Sequence, residues 1–284
     1  MSSFLIPHSG LTLEIRCLDL EDVHIHEEIV PEMLERLAES IENDKVLKHP
    51  VIVDAASHVV LDGMHRVAAM KMIGCVRIAC CLVDYMDKRI KIGRWYRTVK
   101  GEAVSRCGDL LAEASIPQVA CSRTCQEHID AGEAEAAIES PQTHILIPSS
   151  NRGLIEAYRT VKRLEEIFRS HGCSVDYSTE ADAFARLRDG KIDAVLLTPL
   201  IDKETVVAEA LKGNVFVHKA TRHVIPARPL NIDVPLELLR DERVPLEVVN
   251  SRLSEILRGR VVTRFPANSL IDGRRYEEET FVFS

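Results

Sequence analysis

The chain has 284 residues, 46% hydrophobic and 28% charged, which suits one large or two medium globular domains and excludes a disordered or collagen-like chain. Thirty-six Lys and Arg against 44 Asp and Glu leave a formal net charge of −8, so the overall field repels nucleic acid unless a local basic patch overrides it. No run approaches the roughly 20 apolar residues of a membrane span, and Met1 to Gly10 lacks the pattern of an export signal. A cytoplasmic protein with no membrane partner is expected, and its eight scattered cysteines then read as reduced thiols rather than a disulfide frame.

In chain order, Pro31 at a helical first turn and Met33, Leu34, Leu37, Ala38 and Ile41 at spacings of three and four predict a helix with one buried stripe. Pro50 to Asp54 and His58 to Gly63 predict two strands around a turn at Ala55 to Ser57. A helix follows from Met64 to a cap at Gly74, and Val76 to Val83 returns as a strand. Between Gln126 and Ser140 there are five carboxylates and no Lys or Arg, so the weakly patterned stretch 101–143 reads as an acidic helical linker or insertion. Ordered signals resume with the strand His144 to Pro148, the amphipathic helix Leu154 to His171 and the strand Ala194 to Leu197. Later come a strand at Val215 to Val217, the segment Thr221 to Pro226, a helix from Leu246 to Leu257 and a strand from Arg260 to Phe265.

The sharpest local signal is Leu61-Asp62-Gly63-Met64-His65-Arg66, where a strand ends in Asp-Gly and a helix opens with His and Arg in its first turn. Such a start offers backbone N–H groups and the positive dipole end, and glycine lets backbone approach a ligand closely. Two cations there oppose the dipole, an arrangement that makes sense if an anion sits among them. The alternative is that Asp62 caps the helix, Gly63 makes the turn, and His65 and Arg66 face water.

This strand-Asp-Gly-x-His-Arg-helix resembles the nucleotide-phosphate motif of the ParB/sulfiredoxin superfamily. Within it, the free serine kinases match best: His26-Glu27 precedes a helix, Trp95 follows the strand pair, and Thr221-Arg222-His223 comes late in the chain. Sulfiredoxin is a poorer match, since its motif carries a catalytic cysteine where this chain has Met64. The resemblance implies an α/β (α+β) fold, with a ParB/sulfiredoxin-like nucleotide-binding domain at 1–100, the linker at 101–143, a C-terminal α/β substrate-binding domain at 144–284 and an active-site cleft between the domains.

It also implies a kinase that moves a phosphoryl group from ADP or ATP to the hydroxyl of free L-serine. Such chemistry needs a phosphate cradle, a metal, a base and a pocket for the alcohol. By resemblance Glu27 is the base, with its neighbour Glu28 the rival on residue type alone. Asp62 is read as a ligand for Mg²⁺ or as only a helix cap. Gly63, Met64, His65 and Arg66 would meet the phosphate, with Ser40 adding a hydroxyl. Thr221, Arg222 and His223 would bind serine, and Trp95 would wall its pocket. Ser149, Ser150, Asn151 and Arg152, between a strand and a helix, are a further nucleotide candidate.

Cys121, Cys125 and His128 fall at i, i+4 and i+7, with Cys107 a possible fourth ligand. Small apolar filling of a buried helix face is preferred, and no metal ligand is assigned there. The non-enzyme alternative, a ParB-like nucleotide-binding transcriptional regulator that binds DNA, calls for a basic recognition helix that the chain does not display.

Overall fold

The computed structural model describes residues 3–121 and 124–284. They divide into two units, one made of the stretch up to Lys91 with Lys203–Val215 and His223–Ser284, the other of Ile92–Asp202 with Phe216–Arg222.

The first unit begins with β1 (Phe4–His8), β2 (Leu11–Asp19), α1 (Pro31–Asp44), β3 (Val46–Leu47), β4 (Val51–Asp54), β5 (Val60–Asp62), α2 (Met64–Met72) and β6 (Arg77–Val83). Five of these strands form a sheet in the order β1-β2-β6-β4-β5, antiparallel except where β4 runs parallel to β6. Period-two patterning sets the inward face of β2: Leu11, Leu13, Ile15 and Cys17 are buried. Every residue of β6 is buried, as its unbroken run Ile78-Ala79-Cys80-Cys81-Leu82-Val83 requires of a central strand covered on both faces. In α1, Pro31 stands in the first turn and Lys45 ends the helix in the left-handed conformation. Its stripe is shallower than expected: Ala38 and Ile41 are buried, whereas Met33 is 48% exposed.

The second unit starts within β7 (Lys91–Arg94) and continues through β8 (Tyr96–Lys100), α3 (Cys107–Glu113), β9 (Val119–Ala120), α4 (Cys125–Asp130), β10 (Ala134–Glu139), β11 (His144–Pro148), α5 (Leu154–Ser170), β12 (Ser174–Ser178), α6 (Glu180–Arg188) and β13 (Ala194–Leu197). Its six-stranded sheet, β12-β8-β13-β10-β11-β9, is antiparallel throughout. Residues 101–143, expected as an acidic helical linker or insertion, carry α3 and α4 but belong to the body of this unit. They supply β9 and β10, and β10 lies in the interior of the sheet, buried from Ala134 to Ile138. Alanine and glutamate favour helix when little else decides, but neighbours on both edges satisfy this backbone as a strand. Helix α5 lays Ala157, Tyr158, Val161, Leu164 and Phe168 inward at helical spacing. Beneath it Arg97, 0% exposed, pairs with Glu165 at 2.6 Å.

The chain returns to the first unit through α7 (Lys203–Leu211) and, within β14 (Thr221–Val224), for the rest of its length. There follow β15 (Ala227–Leu230), β16 (Val234–Pro235), α8 (Leu236–Arg240), α9 (Leu246–Arg258), β17 (Val262–Phe265), β18 (Leu270–Ile271), β19 (Arg274–Arg275) and β20 (Glu279–Phe283). Residues 144–284 are thus not one domain, because 203–215 and 223–284 pack with the N-terminal sheet. Val215 to Val217 form no strand; Phe216 is instead a core residue, edge-on to Tyr158 at 5.9 Å. Helix α9 docks on β2 through the Asn250 amide, which accepts from the Cys17 N–H (2.6 Å) and donates to the Cys17 carbonyl (3.2 Å). Arg77 joins Asp19 (3.1 Å) to the carbonyls of Asp241 (2.8 Å) and Val244 (2.6 Å).

Candidate active site

In the first unit β5 ends at Asp62, Gly63 takes φ +102°, and α2 begins without a side-chain cap. The left-handed backbone at Gly63 is one that only glycine adopts freely. It also leaves room for Arg66, whose guanidinium folds back across it: a Cβ at Gly63 would stand 2.6 Å from Arg66 Nη2. Asp62 is not a helix cap. Its Oδ2 accepts from Arg66 (2.8 Å) and from Arg228 of β15 (2.9 Å). Arg228 in turn donates to Glu278, completing a line of alternating charge. Burial works to raise the Asp62 pKa, but Arg66 and Arg228 outweigh it and hold the carboxyl well below its ordinary range.

The loop before α1 is fixed to this turn at two points with one offset. His24 bridges Val59 in parallel, with Val60 donating to the His24 carbonyl (2.9 Å). Six residues on, the Val30 N–H donates to His65 Nε2 (3.0 Å). Glu27 lies on the loop between these two ties. Glu27 is buried, 4% exposed, whereas Glu28 is only half-buried. His65, read from the sequence as a phosphate contact, thus spends its Nε2 lone pair holding the loop that carries Glu27.

His26, fully buried, meets His223 edge-on with ring centroids 5.3 Å apart. The Tyr85 hydroxyl stands 2.7 Å from His223 Nε2, and Tyr85 is itself aimed by Asp54, which accepts the Tyr85 N–H (3.1 Å). Burial pushes the His223 pKa well below its ordinary value, with His26 adding to the effect and Asp62 opposing it. Burial likewise lowers His26. Lys203, whose Nζ donates to the carbonyls of Tyr85 (2.6 Å) and Asp87 (2.9 Å), lies over the Tyr85 ring. Burial lowers its pKa too, with Lys91 adding to the shift.

Of the residues proposed from sequence, Glu27, Asp62, Gly63, Met64, His65, Arg66 and His223 therefore gather in the first unit. Ser40 is exposed on α1, outside the polar network just described. Trp95, Thr221 and Arg222 lie in the second unit. There the Arg222 guanidinium and the Lys219 ammonium lie 5.6 and 5.1 Å from the Trp95 ring centroid. Arg97 braces this group by donating to the carbonyls of Trp95 (2.9 Å), Lys219 (3.1 Å) and His218 (3.2 Å). Ser150 does not present itself to a ligand: its N–H and hydroxyl both go to Glu135, which also accepts from Thr160 (2.8 Å). The sheet beside it is antiparallel, so the crevice of open parallel sheets does not arise there.

Four residues of the first cluster escaped the sequence reading: Arg228, Glu278, Tyr85 and Lys203. Arg228 is 166 residues from Asp62, and no local spacing announces such a pair.

No protein-family model matches the chain. An ATP-dependent L-serine kinase of Staphylothermus marinus is 28% identical over 234 residues, covering 78% of this chain and 90% of that protein. An ADP-dependent L-serine kinase of Thermococcus kodakarensis is 27% identical over 227 residues, covering 78% and 91%. Among solved structures, a free serine kinase in complex with AMP superposes with a TM-score of 0.69 at 26% identity, covering 79% of this chain and 93% of that one. In sequence and in structure the chain resembles the free L-serine kinases.

Proposed function

We infer that this chain, similar to free L-serine kinases over most of its length, is itself a kinase that transfers a phosphoryl group from ADP or ATP to the hydroxyl of free L-serine, giving O-phospho-L-serine. The observation that carries this reading is the buried Glu27 carboxylate on a loop that is tied to Val59 and, through Val30, to His65 at the uncapped start of α2. Transfer to an alcohol needs an anion cradle and a base, and in this reading the turn supplies the first and the loop tied to it the second.

In this reading Glu27 takes the serine Oγ proton as the new P–O bond forms. The backbone N–H groups of Met64, His65 and Arg66 receive the phosphate at the positive end of α2. Arg66 and Arg228, already 2.8 and 2.9 Å from Asp62, spread the charge that develops on the transferring group. Asp62 keeps the two guanidiniums from repelling each other while the site is empty of phosphate. Thr221 and Arg222 offer a hydroxyl and a guanidinium suited to an amino-acid carboxylate, with Trp95 as an apolar wall. His223 is held neutral, and its part is to orient the Tyr85 hydroxyl and the His26 ring. Ser40 is given no role.

Mg²⁺ is the metal that nucleotide phosphates ordinarily carry. Asp62 does not fit as its protein ligand, because one carboxylate oxygen accepts from two guanidiniums and Arg274 adds further positive charge. No step is assigned to a protein-held ion.

The test is turnover. Protein incubated with L-serine, Mg²⁺ and either ADP or ATP is expected to form phosphoserine and the nucleotide one phosphate shorter. Glu27→Gln is expected to lower kcat by at least about 100-fold while AMP and ADP still bind by calorimetry. Full activity in that variant would move the base elsewhere, and no phosphoserine from the wild type with either donor would remove the kinase reading.

A further inference from the structure

We propose that Cys121, Cys125, Glu139 and His144 form a tetrahedral zinc site in the second unit. Strand pairing brings them together. Glu139 of β10 is the register partner of His144 at the start of β11. On the other side of β11, Ile145 pairs with Ala120, and the next residue, Cys121, donates its N–H to the His144 carbonyl at 3.0 Å. Directly opposed residues of antiparallel strands point to the same face, so Cys121, His144 and Glu139 make a row across three strand ends. Helix α4 covers this face, since Cys125 and Ile129 pack with Ala137 and Leu146, residues of the same parity in the two strands. Its first residue, Cys125, donates its N–H to Glu139 Oε1 at 3.3 Å.

The side chains converge as their backbones do. The Cys125 thiol, a Glu139 oxygen and a His144 nitrogen all lie within 4.8 Å of one another, and the Cys121 thiol neighbours that of Cys125. A tetrahedral ion with bonds of about 2.0 to 2.3 Å holds its ligands roughly 3.3 to 3.8 Å apart, so three of the ligands are near that spacing and a turn of the Cys121 side chain toward them completes the set. Two thiols, an imidazole and a carboxylate select a borderline-soft divalent cation and discriminate against Mg²⁺ and Ca²⁺. Four protein ligands leave no open position, which makes the ion structural. It would staple the ends of β9, β11 and β10 to the start of α4. Burial is graded, from Cys125 at 0% exposed to His144 on the surface, which gives the ion a route in.

This quartet is not the one that linear spacing offers. His128 turns away to pair with Glu133, and Cys107 is buried in α3. Glu139 and His144 take their places, contributed by a hairpin that the sequence did not reveal.

The experiment measures metal rather than catalysis, so its result is independent of the kinase assay. Protein purified under reducing conditions without chelator or metal affinity resin is expected to carry one zinc per chain by inductively coupled plasma mass spectrometry. Cobalt(II) replacing it is expected to show thiolate charge-transfer absorption and tetrahedral visible bands. His144→Ala, at an exposed position, and Cys121→Ser are expected to weaken zinc affinity by at least about tenfold with circular dichroism unchanged, while Cys107→Ser and His128→Ala leave affinity as in the wild type. Wild type that takes up no zinc, an octahedral cobalt spectrum, undiminished affinity in His144→Ala, or a Cys121–Cys125 disulfide in the reduced preparation would each overturn the proposal.

Discussion

Arg228 shows how much of the first unit's polar centre depends on single side chains. It binds Asp62 and Glu278 at once, and with Arg66 it encloses the Asp62 carboxylate. The neighbouring histidines are kept neutral by their surroundings. Burial and the adjacent Arg66 lower His49 to about 4, consistent with its Nδ1 accepting the Asn231 N–H at 3.1 Å. His26 and His223 are depressed by burial as well. A depressed histidine pKa means that the unfolded chain binds protons first, so stability is full above about pH 6.5 and is lost as pH falls from there toward the folded value, which for His49 is about 4. Stability against urea is therefore expected to fall between pH 6.5 and pH 4 by up to about 1.4 kcal/mol per pH unit from His49, with His26 and His223 acting in the same direction. His49→Gln, which keeps an acceptor for Asn231, is expected to flatten that slope; a slope equal to the wild type's would show His49 to be uninvolved. Asp62 and Arg66 stood out from their neighbours in sequence, whereas Glu27 was singled out from Glu28 only by the family resemblance. Arg228 and Tyr85 were not, because what makes them matter is a partner that only the fold supplies.

At the scale of the element, the turn from β5 into α2 was readable because its signals are local. A strand pattern, Asp-Gly and a helical run fall within a dozen residues, and glycine is the residue that a φ of +102° favours. Gly63→Ala is expected to cost about 1 to 2 kcal/mol in chemical denaturation, the penalty of a left-handed alanine. It is also expected to raise the KM for nucleotide, since the new methyl displaces the Arg66 guanidinium now 2.6 Å from that point. Unchanged stability and KM would mean that the loop relaxes without consequence. Strand β10 is the opposite case. Ala134-Glu135-Ala136-Ala137-Ile138-Glu139 is helix-favouring in composition, yet β11 and β13 take its hydrogen bonds, and Glu135 is satisfied by Ser150 and Thr160. Propensity loses where paired neighbours on both sides decide.

For the whole molecule, the discontinuity of the first unit matters most. No helix among the described residues is long and apolar enough to cross a membrane, and within the first unit distant parts of the chain meet. Helix α9 covers β2, and Arg77 spans to Asp241 and Val244. A fragment ending at Lys91 would leave the Cys17 backbone and the Arg77 guanidinium without these partners. It is expected to show no cooperative urea transition by circular dichroism, whereas the full chain does; a sharp transition in the fragment would show the N-terminal sheet to be self-sufficient. A linear reading divides such a chain at one place, because composition and periodicity carry no record of a segment that comes back.

That interrupted connectivity bears on biosynthesis. A ribosome delivers the β2 strand early and its covering helix more than 200 residues later, while nearly everything that the inserted middle unit needs emerges in between. The portion begun first is therefore finished last, and the nascent sheet must wait with one side open to solvent, exposed to chaperones and to mispairing, until the carboxyl-terminal stretch leaves the exit tunnel.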